Sequence, residues 1–323
     1  MHNDVIFLSV QPDEPYFYWQ VEVFIHNAIS VGVNPKRIQI IFACSDGKPK
    51  KNLIDLSTRY KFVNFFFYEK YPGVDHGYIS VLRPHALEQH FLKFPELRGE
   101  VIFYHDADII FTRIPPFETM IYDNFWYLSD TESYIGANYI KSKSDLLLTE
   151  LCDLVNIERS TVESNQKNSG GAQYLMKGLT HIYWEEVKDM CLKLYKYMSD
   201  REHEERKTLT EEQLKTYNPI QKWCSDMWAV LWCAWKNGYQ TKVVDELSFS
   251  WASDYSNIFK SYNIMHNAGI VEDDKNHKFF KGEFIDKSPF DADLSYVDSN
   301  SNTWNYVQAI EYAKIQRKEI FGS

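Results

Sequence analysis

The chain has 323 residues, of which 44% are hydrophobic and 25% are charged, and this apolar share excludes a largely disordered protein. Its 35 basic and 45 acidic residues give a net charge of −10, which disfavours a general affinity for nucleic acid or anionic lipid but permits a local basic pocket. The five cysteines are scattered and lack the spacing of metal ligands, a pattern typical of a reduced cytosolic protein.

The first apolar run, at residues 5–10, is too short for a signal sequence or a membrane anchor. No later run is long enough and uncharged enough to cross a bilayer. We therefore expect a cytoplasmic protein without a membrane span, and a microbial or viral source fits this expectation.

In the first half of the chain, short apolar runs alternate with segments of helical period. The runs predict strands at residues 5–10, 38–44, 62–68 and 100–104, and the segments between them predict helices at residues 16–31, 50–60 and 78–94. This alternation predicts an α/β fold of Rossmann-like type, with a mostly parallel central sheet flanked by helices. Because ligands bind beyond the carboxyl ends of such strands, chemistry should cluster just after Val10, Cys44, Tyr68 and Tyr104.

The second half of the chain is less regular. We predict strands at residues 126–128, 135–140 and 262–265, and helices at residues 144–156, 180–199, 225–237 and 303–320. A polar loop is expected at residues 163–171 and a solvated helical excursion at residues 200–215. Since no repeat or linker divides the chain, we expect one compact domain over residues 1–323 with helical decorations.

Two carboxylates, Asp106 and Asp108, interrupt the apolar run at the end of the fourth predicted strand. Acidic side chains with such neighbours are costly to bury without a counter-charge. At a strand end they can converge on one divalent cation, and oxygen ligands joined by an imidazole suit Mn²⁺ or Mg²⁺. We predict a metal site here; an aspartate cap or turn is the alternative.

His266 closes a short apolar strand and precedes a turn of small residues, so it could complete the coordination of this metal. A hydrogen-bonded core histidine is the alternative. Lys278 and Lys281 follow near the same turn, and either could hold a phosphate as a point charge. Solvated surface lysines are the alternative for both.

Two further motifs offer polar groups to a sugar. The paired glycines Gly170 and Gly171 allow close approach of the backbone to a ligand, and the amides of Asn168 and Gln173 can bond hydroxyl groups. A plain turn before a strand is the alternative. Asp226 begins a Trp-rich helix, where it is either an N-terminal cap or a carboxylate that activates an acceptor.

The order of these motifs resembles known nucleotide-sugar glycosyltransferases. A strand, a D-x-D, an N-S-G loop and a late His-x-x-Gly with lysine resemble the glycogenin-like family of GT-A fold. Other segments are similar to the plant hydroxyproline O-arabinosyltransferases and peptidyl serine α-galactosyltransferases. These are Tyr18-Trp-Gln20 for their WQ, Arg83 for the basic residue of N-K-P-x-A, Asp106-Ala-Asp108 for E-P-D, and Asp226-Met-Trp-Ala229 for E-M-Y-A. The plant enzymes are membrane-anchored in the secretory pathway, so their acceptor is not carried over.

The resemblance implies a metal-dependent hexosyl- or pentosyltransferase that moves a sugar from a nucleoside diphosphate sugar, most simply a UDP-sugar, to a hydroxyl acceptor with retention. Residues 1–112 would form the nucleotide-binding half and residues 113–323 the donor-sugar and acceptor half. The expected metal ligands are Asp106, Asp108 and His266; the expected donor-binding residues are Val10, Arg83, Asp106, Gly170, Gly171, Lys278 and Lys281; and the expected catalytic residues are Asp226, Asn168 and Gln173.

The acceptor stays open among a glycan, a protein and a modified nucleic-acid base, and Trp223 and Trp251 could form its platform. Two other functions stay open as well. One is a metal-dependent phosphoesterase or nuclease, which normally needs more carboxylates and histidines for a two-metal centre. The other is a non-catalytic module that binds a sugar nucleotide or a glycan.

Overall fold

The computed structural model describes residues 4–72 and 77–322. Its strands are β1 (Val5–Pro12), β2 (Ile38–Cys44), β3 (Asn64–Glu69), β4 (Val101–Tyr104), β5 (Ile109–Phe111), β6 (Phe125–Asp130), β7 (Gly170–Lys177), β8 (Gln240–Val243), β9 (Phe249–Trp251) and β10 (Ile264–His266). Its helices are α1 (Pro15–Ser30), α2 (Lys51–Arg59), α3 (Leu82–Lys93), α4 (Glu132–Ile135), α5 (Ala137–Lys143), α6 (Asp145–Val155), α7 (Arg159–Ser164), α8 (His181–Thr208), α9 (Glu211–Thr216), α10 (Ser225–Lys236) and α11 (Thr303–Phe321).

In the described part of the chain, seven strands form the central sheet, in the order β3-β2-β1-β4-β7-β6-β8. The strands β3, β2, β1 and β4 pair in parallel, and β6 pairs in parallel with β8. Only β7 runs against its two neighbours, β4 and β6. The predicted α/β class, with a mostly parallel central sheet flanked by helices, is confirmed.

The central sheet is buried on both faces. In β1, Ile6, Leu8 and Val10 pack into the core shared with α3, α8 and α10, whereas Val5 and Phe7 pack into the core shared with α1 and α2. Successive side chains of a strand point to opposite faces, so a strand covered on both sides carries apolar residues on both faces. This double burial explains why residues 5–10 read in the sequence as an apolar run that only Ser9 interrupts.

A second, smaller sheet has the order β5-β10-β9. The strand β5 follows β4 after residues 105–108, so the Asp106-Ala-Asp108 turn lies where the chain leaves the central sheet for the smaller one. In the smaller sheet His266 pairs with Ile109 on one side and with Trp251 on the other. This register brings the end of β10 beside the acidic turn.

The strand predicted at residues 135–140 is wrong, because the chain forms α4 and α5 there. Ala137 and Ile140 are both buried and lie three residues apart, which is a helical and not a strand spacing. The helix α8 also continues past its predicted end at residue 199, through i,i+4 ion pairs such as Lys196–Asp200 and Arg201–Glu205. None of the helices in residues 4–72 and 77–322 has the length and apolar character that a bilayer crossing requires.

Candidate active site

A buried histidine, His105, fixes the backbone of the acidic turn at Asp106-Ala-Asp108. His105 follows β4, and its ring lies against Phe24 and Phe103, with centroid distances of 4.3 and 5.4 Å. Burial lowers the pKa of His105 to about 4, so the ring is neutral at physiological pH. Its Nδ1–H donates to the carbonyl oxygen of Asp106 at 2.8 Å. This bond fixes the backbone from which Asp106 and Asp108 project.

Asp106, Asp108 and His266 converge on one point. His266 Nε2 lies 3.5 Å from Asp106 Oδ2 and 3.2 Å from Asp108 Oδ1, and one ligand atom from each residue lies within 4.8 Å of the other two. Atoms that share an ion at about 2.1 Å stand about 3–4 Å apart, so the three side chains fit one cation with little movement. Two carboxylates and one imidazole are suitable ligands for Mn²⁺, and the oxygens also suit Mg²⁺.

Lys281 is ion-paired with Asp108 through the Oδ2 atom of the carboxylate. Burial by itself would raise the pKa of the Asp108 carboxyl, but the charges of Lys281 and His266 outweigh it and lower that pKa. Burial would likewise lower the pKa of the Lys281 ammonium, and the charge of Asp108 reverses this and raises it. Both groups are therefore charged at neutral pH, and the lysine places a positive charge beside the three candidate ligands.

Arg83 connects the acidic turn to Asp226. Its Nη1 lies 2.9 Å from Asp106 Oδ1 and 3.6 Å from Asp226 Oδ2. The Tyr78 hydroxyl lies 2.7 Å from Asp226 Oδ1 and accepts the backbone N–H of Asp226 at 3.0 Å. Burial raises the pKa of Asp226, against the opposing effects of Arg83 and Tyr78. Asp226 is thus a buried carboxylate held in one orientation by two polar side chains.

The structure gives Asp226 no capping role. The N-cap position of α10 belongs to Cys224, and no side chain makes a cap hydrogen bond there. The side chain of Asp226 instead contacts Tyr78, just before α3, and Arg83, in the first turn of α3, both far from α10 in the sequence. The negative charge of Asp226 in the first turn of α10 still interacts favourably with the helix dipole.

These groups line a cavity of about 330 Å³, a size typical of small-molecule sites. The cavity opens beyond the ends of β1 and β4, which is where ligands bind in parallel sheets. The structure brings most of the predicted site residues to its wall, namely Val10, Arg83, Asp106, Asp108, Asp226, His266 and Lys281. The end of β2 at residues 44–46, where the sheet argument also placed chemistry, is not among the described lining residues.

Gly170 and Gly171 lie off this wall, at the buried start of β7. A Cβ on Gly170 would stand 2.4 Å from Leu128 Cβ and 2.6 Å from the carbonyl oxygen of Ser129. A Cβ on Gly171 would stand 2.5 Å from Met227 Cε. Close packing of β7 against β6 and α10 therefore accounts for both glycines without a ligand.

The other predicted residues also lie away from the described cavity wall. Asn168 lies in a short helical turn, and its Nδ2 donates to Asn165 Oδ1 in the same loop at 3.3 Å. Gln173 is buried in β7 and accepts a hydrogen bond from Ser129 Oγ at 2.8 Å. Lys278 pairs with Asp274 at 2.8 Å. Of the two candidate lysines, only Lys281 lines the cavity in the described part of the chain.

Sequence reasoning missed several cavity residues. Gln11 lies next to Val10, so the same strand-end argument extended by one residue would have found it. Its Nε2 donates to the carbonyl of Ile41 at 2.9 Å, and its buried Oε1 has no partner among the described residues. No local signal pointed to Tyr134, which lines the cavity, or to Tyr78, which lies off the described wall and contacts Asp226. Both act through contacts with residues far away in the chain.

No family model matches the sequence, and no curated protein matches it. Solved structures do match. The apo structure of WbbM, a bifunctional glycosyltransferase, has 9% identity and a TM-score of 0.49 over 100% of this chain and 53% of its own. Mouse xyloside xylosyltransferase 1, in its apo form, has 10% identity and a TM-score of 0.39 over 82% of this chain and 98% of its own. The chain spans about half the length of WbbM, and the functional assignment rests on the cavity residues themselves.

Proposed function

We propose that the chain is a metal-dependent glycosyltransferase of GT-A fold that takes its sugar from a nucleoside diphosphate sugar, with a UDP-sugar as first candidate. One observation carries this proposal. Asp106, Asp108 and His266 converge at the carboxyl ends of parallel strands, with Lys281 beside one carboxylate and Arg83 beside the other. A diphosphate needs such a combination of cation ligands and basic side chains.

The three candidate ligands would hold Mn²⁺ or Mg²⁺, which would neutralise charge on the diphosphate as the glycosyl bond breaks. Lys281 and Arg83 would bind the phosphate oxygens, Lys281 as a point charge and Arg83 through its planar fork. Both are already oriented by the carboxylates that they contact. The end of β1 at Val10 would contact the nucleotide.

Asp226 is our candidate for the catalytic carboxylate. It is buried, held by Tyr78 and Arg83, and lies on the same cavity wall as the acidic turn. There it would orient the acceptor hydroxyl or stabilise positive charge on the sugar in the transition state. We expect the transfer to retain anomeric configuration. We propose no direct role for Asn168, Gly170, Gly171, Gln173 and Lys278, which lie off the described wall.

A two-metal phosphoesterase finds less support. Within residues 4–72 and 77–322, Asp106, Asp108 and His266 form the only group of three or more side chains suited to one metal. A two-metal centre would require further ligands for a second ion about 3.5–4 Å from the first.

We also propose the division into a nucleotide-binding half at residues 1–112 and a donor-sugar and acceptor half at residues 113–323.

A thermal-shift screen of UDP- and GDP-sugars with Mn²⁺, Mg²⁺ or EDTA tests this function. We expect a UDP-sugar to stabilise the wild type only in the presence of the metal, and to be hydrolysed slowly at its glycosyl bond. The same additions should leave the melting temperature of Asp108→Asn unchanged. Asp153→Asn, which alters an exposed acid, should be stabilised as the wild type is. Cleavage of the pyrophosphate bond would support a phosphoesterase, and binding without turnover a binding module.

A further inference from the structure

Three aromatic rings form a row along the cavity wall, and we call Trp223, Tyr134 and Trp251 the aromatic row. Trp223 and Tyr134 stack with centroids 6.4 Å apart and an interplanar angle of 25°. Tyr134 meets Trp251 edge to face at 6.3 Å, and Trp251 stacks on His266 at 6.0 Å and 18°. The row therefore runs outward from a candidate metal ligand to Trp223, and all of its members line the cavity.

Trp223 is the most exposed of the nine tryptophans, with 58% of its surface accessible. Its backbone is nevertheless fixed. Its carbonyl oxygen lies 2.6 Å from the Tyr78 hydroxyl, and the preceding Lys222 pairs with Glu202 at 2.8 Å. A large apolar ring is thus presented to solvent at a defined place, where a ligand that covers it would gain from removing its surface from water.

The position of this ring suggests what it binds. Tyr78 contacts both the Trp223 carbonyl and the Asp226 carboxylate, so one side chain holds the backbone that carries the exposed ring and the candidate catalytic acid. A sugar matches this pair of groups, because its C–H face packs on an aromatic ring while its hydroxyls bond a carboxylate. An amphipathic ligand such as a sugar therefore fits this end of the cavity.

Charge argues against a nucleic-acid acceptor in the same place. Nucleic-acid binding needs basic side chains that are free to neutralise phosphates. Of the described residues that line the cavity, Arg83 and Lys281 are the two with a cationic side chain, and both lie beside the candidate metal ligands, where we assign them to the donor diphosphate. The chain as a whole carries a charge of −10. Among the described cavity residues, the aromatic row is therefore left without a further basic side chain for the phosphates of a nucleic-acid acceptor.

We propose that the acceptor is a carbohydrate whose C–H face stacks on Trp223, with its reacting hydroxyl directed toward Asp226. The inference rests on the proposed glycosyl transfer and adds the class of acceptor to it. Tyr134 and Trp251 extend the same apolar surface inward, toward the donor sugar. The row accordingly joins the acceptor to the reaction centre.

Saturation-transfer NMR with a panel of methyl hexosides, methyl pentosides and their disaccharides, in the presence of UDP and Mn²⁺, tests this inference. We expect transfer to the ring C–H protons of at least one glycoside. Trp223→Ala should weaken the binding of that glycoside by about tenfold or more, which corresponds to the loss of one good aromatic contact. Trp223→Phe should retain most of the affinity. Tyr122→Ala, which removes a more exposed ring away from the described cavity wall, should change nothing.

Calorimetry of UDP with Mn²⁺ on the same variants separates this inference from the proposed function. UDP binding should be equal in wild type and Trp223→Ala. If UDP binds but no glycoside does, or if Trp223→Ala leaves glycoside binding intact, the carbohydrate acceptor is refuted and the donor site stands. Binding of a proline-rich peptide or a single-stranded oligonucleotide at Trp223, in place of any glycoside, would refute it equally. Glycoside binding at Trp223 without UDP binding would support the carbohydrate site and overturn the donor assignment.

Discussion

Replacing Asp226 with asparagine removes one negative charge from the cavity and keeps the size of the side chain. An amide oxygen can still accept from Tyr78, and Arg83 retains Asp106 at 2.9 Å as its partner. Because burial raises the pKa of Asp226, its charge is held in the folded state at a cost that asparagine relieves. The lost attraction to Arg83 offsets this relief, so the free energy of unfolding at pH 7 should stay within about 1 kcal/mol of wild type.

The effect on catalysis should be far larger. A positioned acid–base group contributes about 10²–10⁴-fold to a rate, which corresponds to about 3–5 kcal/mol of activation free energy. A carboxylate about 4 Å from a cationic sugar, at an effective dielectric constant of about 20, contributes about 4 kcal/mol of attraction. Either role of Asp226 therefore predicts a loss of about 10²–10⁴-fold in kcat. The affinity for UDP should barely change, since Arg83, the candidate diphosphate ligand that Asp226 contacts, keeps Asp106 as its closer partner.

The assay is Mn²⁺-dependent turnover of the UDP-sugar that stabilises the wild type, with UDP affinity from calorimetry and stability from urea unfolding. Asp153→Asn, an identical change at an exposed position, is the matched control and should retain full turnover. Turnover in Asp226→Asn equal to that of wild type would refute the catalytic role. A parallel loss of UDP affinity would instead make Asp226 part of the donor site.

Three further predictions test other parts of the molecule. Lys281→Met should raise the affinity for Mn²⁺ in the absence of UDP, because no ammonium then competes for Asp108, and it should weaken the binding of UDP. Calorimetry that shows weaker binding of both Mn²⁺ and UDP would contradict this. In urea unfolding, Gly170→Ala should cost about 1–3 kcal/mol because its Cβ meets backbone, while Gly171→Ala, facing a flexible methionine, should cost less; the reverse order would refute the packing role. Burial lowers the pKa of His90 to about 3, so below pH 6.5 the unfolded chain binds a proton that the folded chain does not. His90 should thereby contribute about 2 kcal/mol to the stability that the wild type loses between pH 7 and pH 5. The loss should be smaller by this amount in His90→Gln, and an unchanged loss would refute the burial effect.

The acidic turn could be predicted because its signals are local. Each strand from β1 to β4 is a short apolar run, and the carboxylates follow the last of them directly. His266 was predicted as a third ligand from its place at the end of the apolar strand β10, before a turn of small residues. The contact itself depends on the pairing of His266 with Ile109, a register that no single segment of the sequence contains.

Other features could not be predicted because different structures produce the same local pattern. Paired glycines such as Gly170 and Gly171 fit either a ligand-binding loop or a tight strand contact, and only the neighbours from β6 and α10 distinguish the two. The apolar residues at positions 135–140 fit both a strand and two short helices. The link from Tyr78 to Asp226 joins residues 148 positions apart, so it has no sequence signature.

The most direct test of the proposed function is a titration of the chain with Mn²⁺, followed by electron paramagnetic resonance of the free ion, with and without UDP. The wild type should bind one Mn²⁺ per chain at the Asp106, Asp108 and His266 group, and more tightly when UDP is present. Asp108→Asn should weaken this binding by at least about 100-fold, while Asp153→Asn should match wild type. Wild-type affinity in Asp108→Asn, or two ions bound per chain, would contradict a single metal centre at this turn.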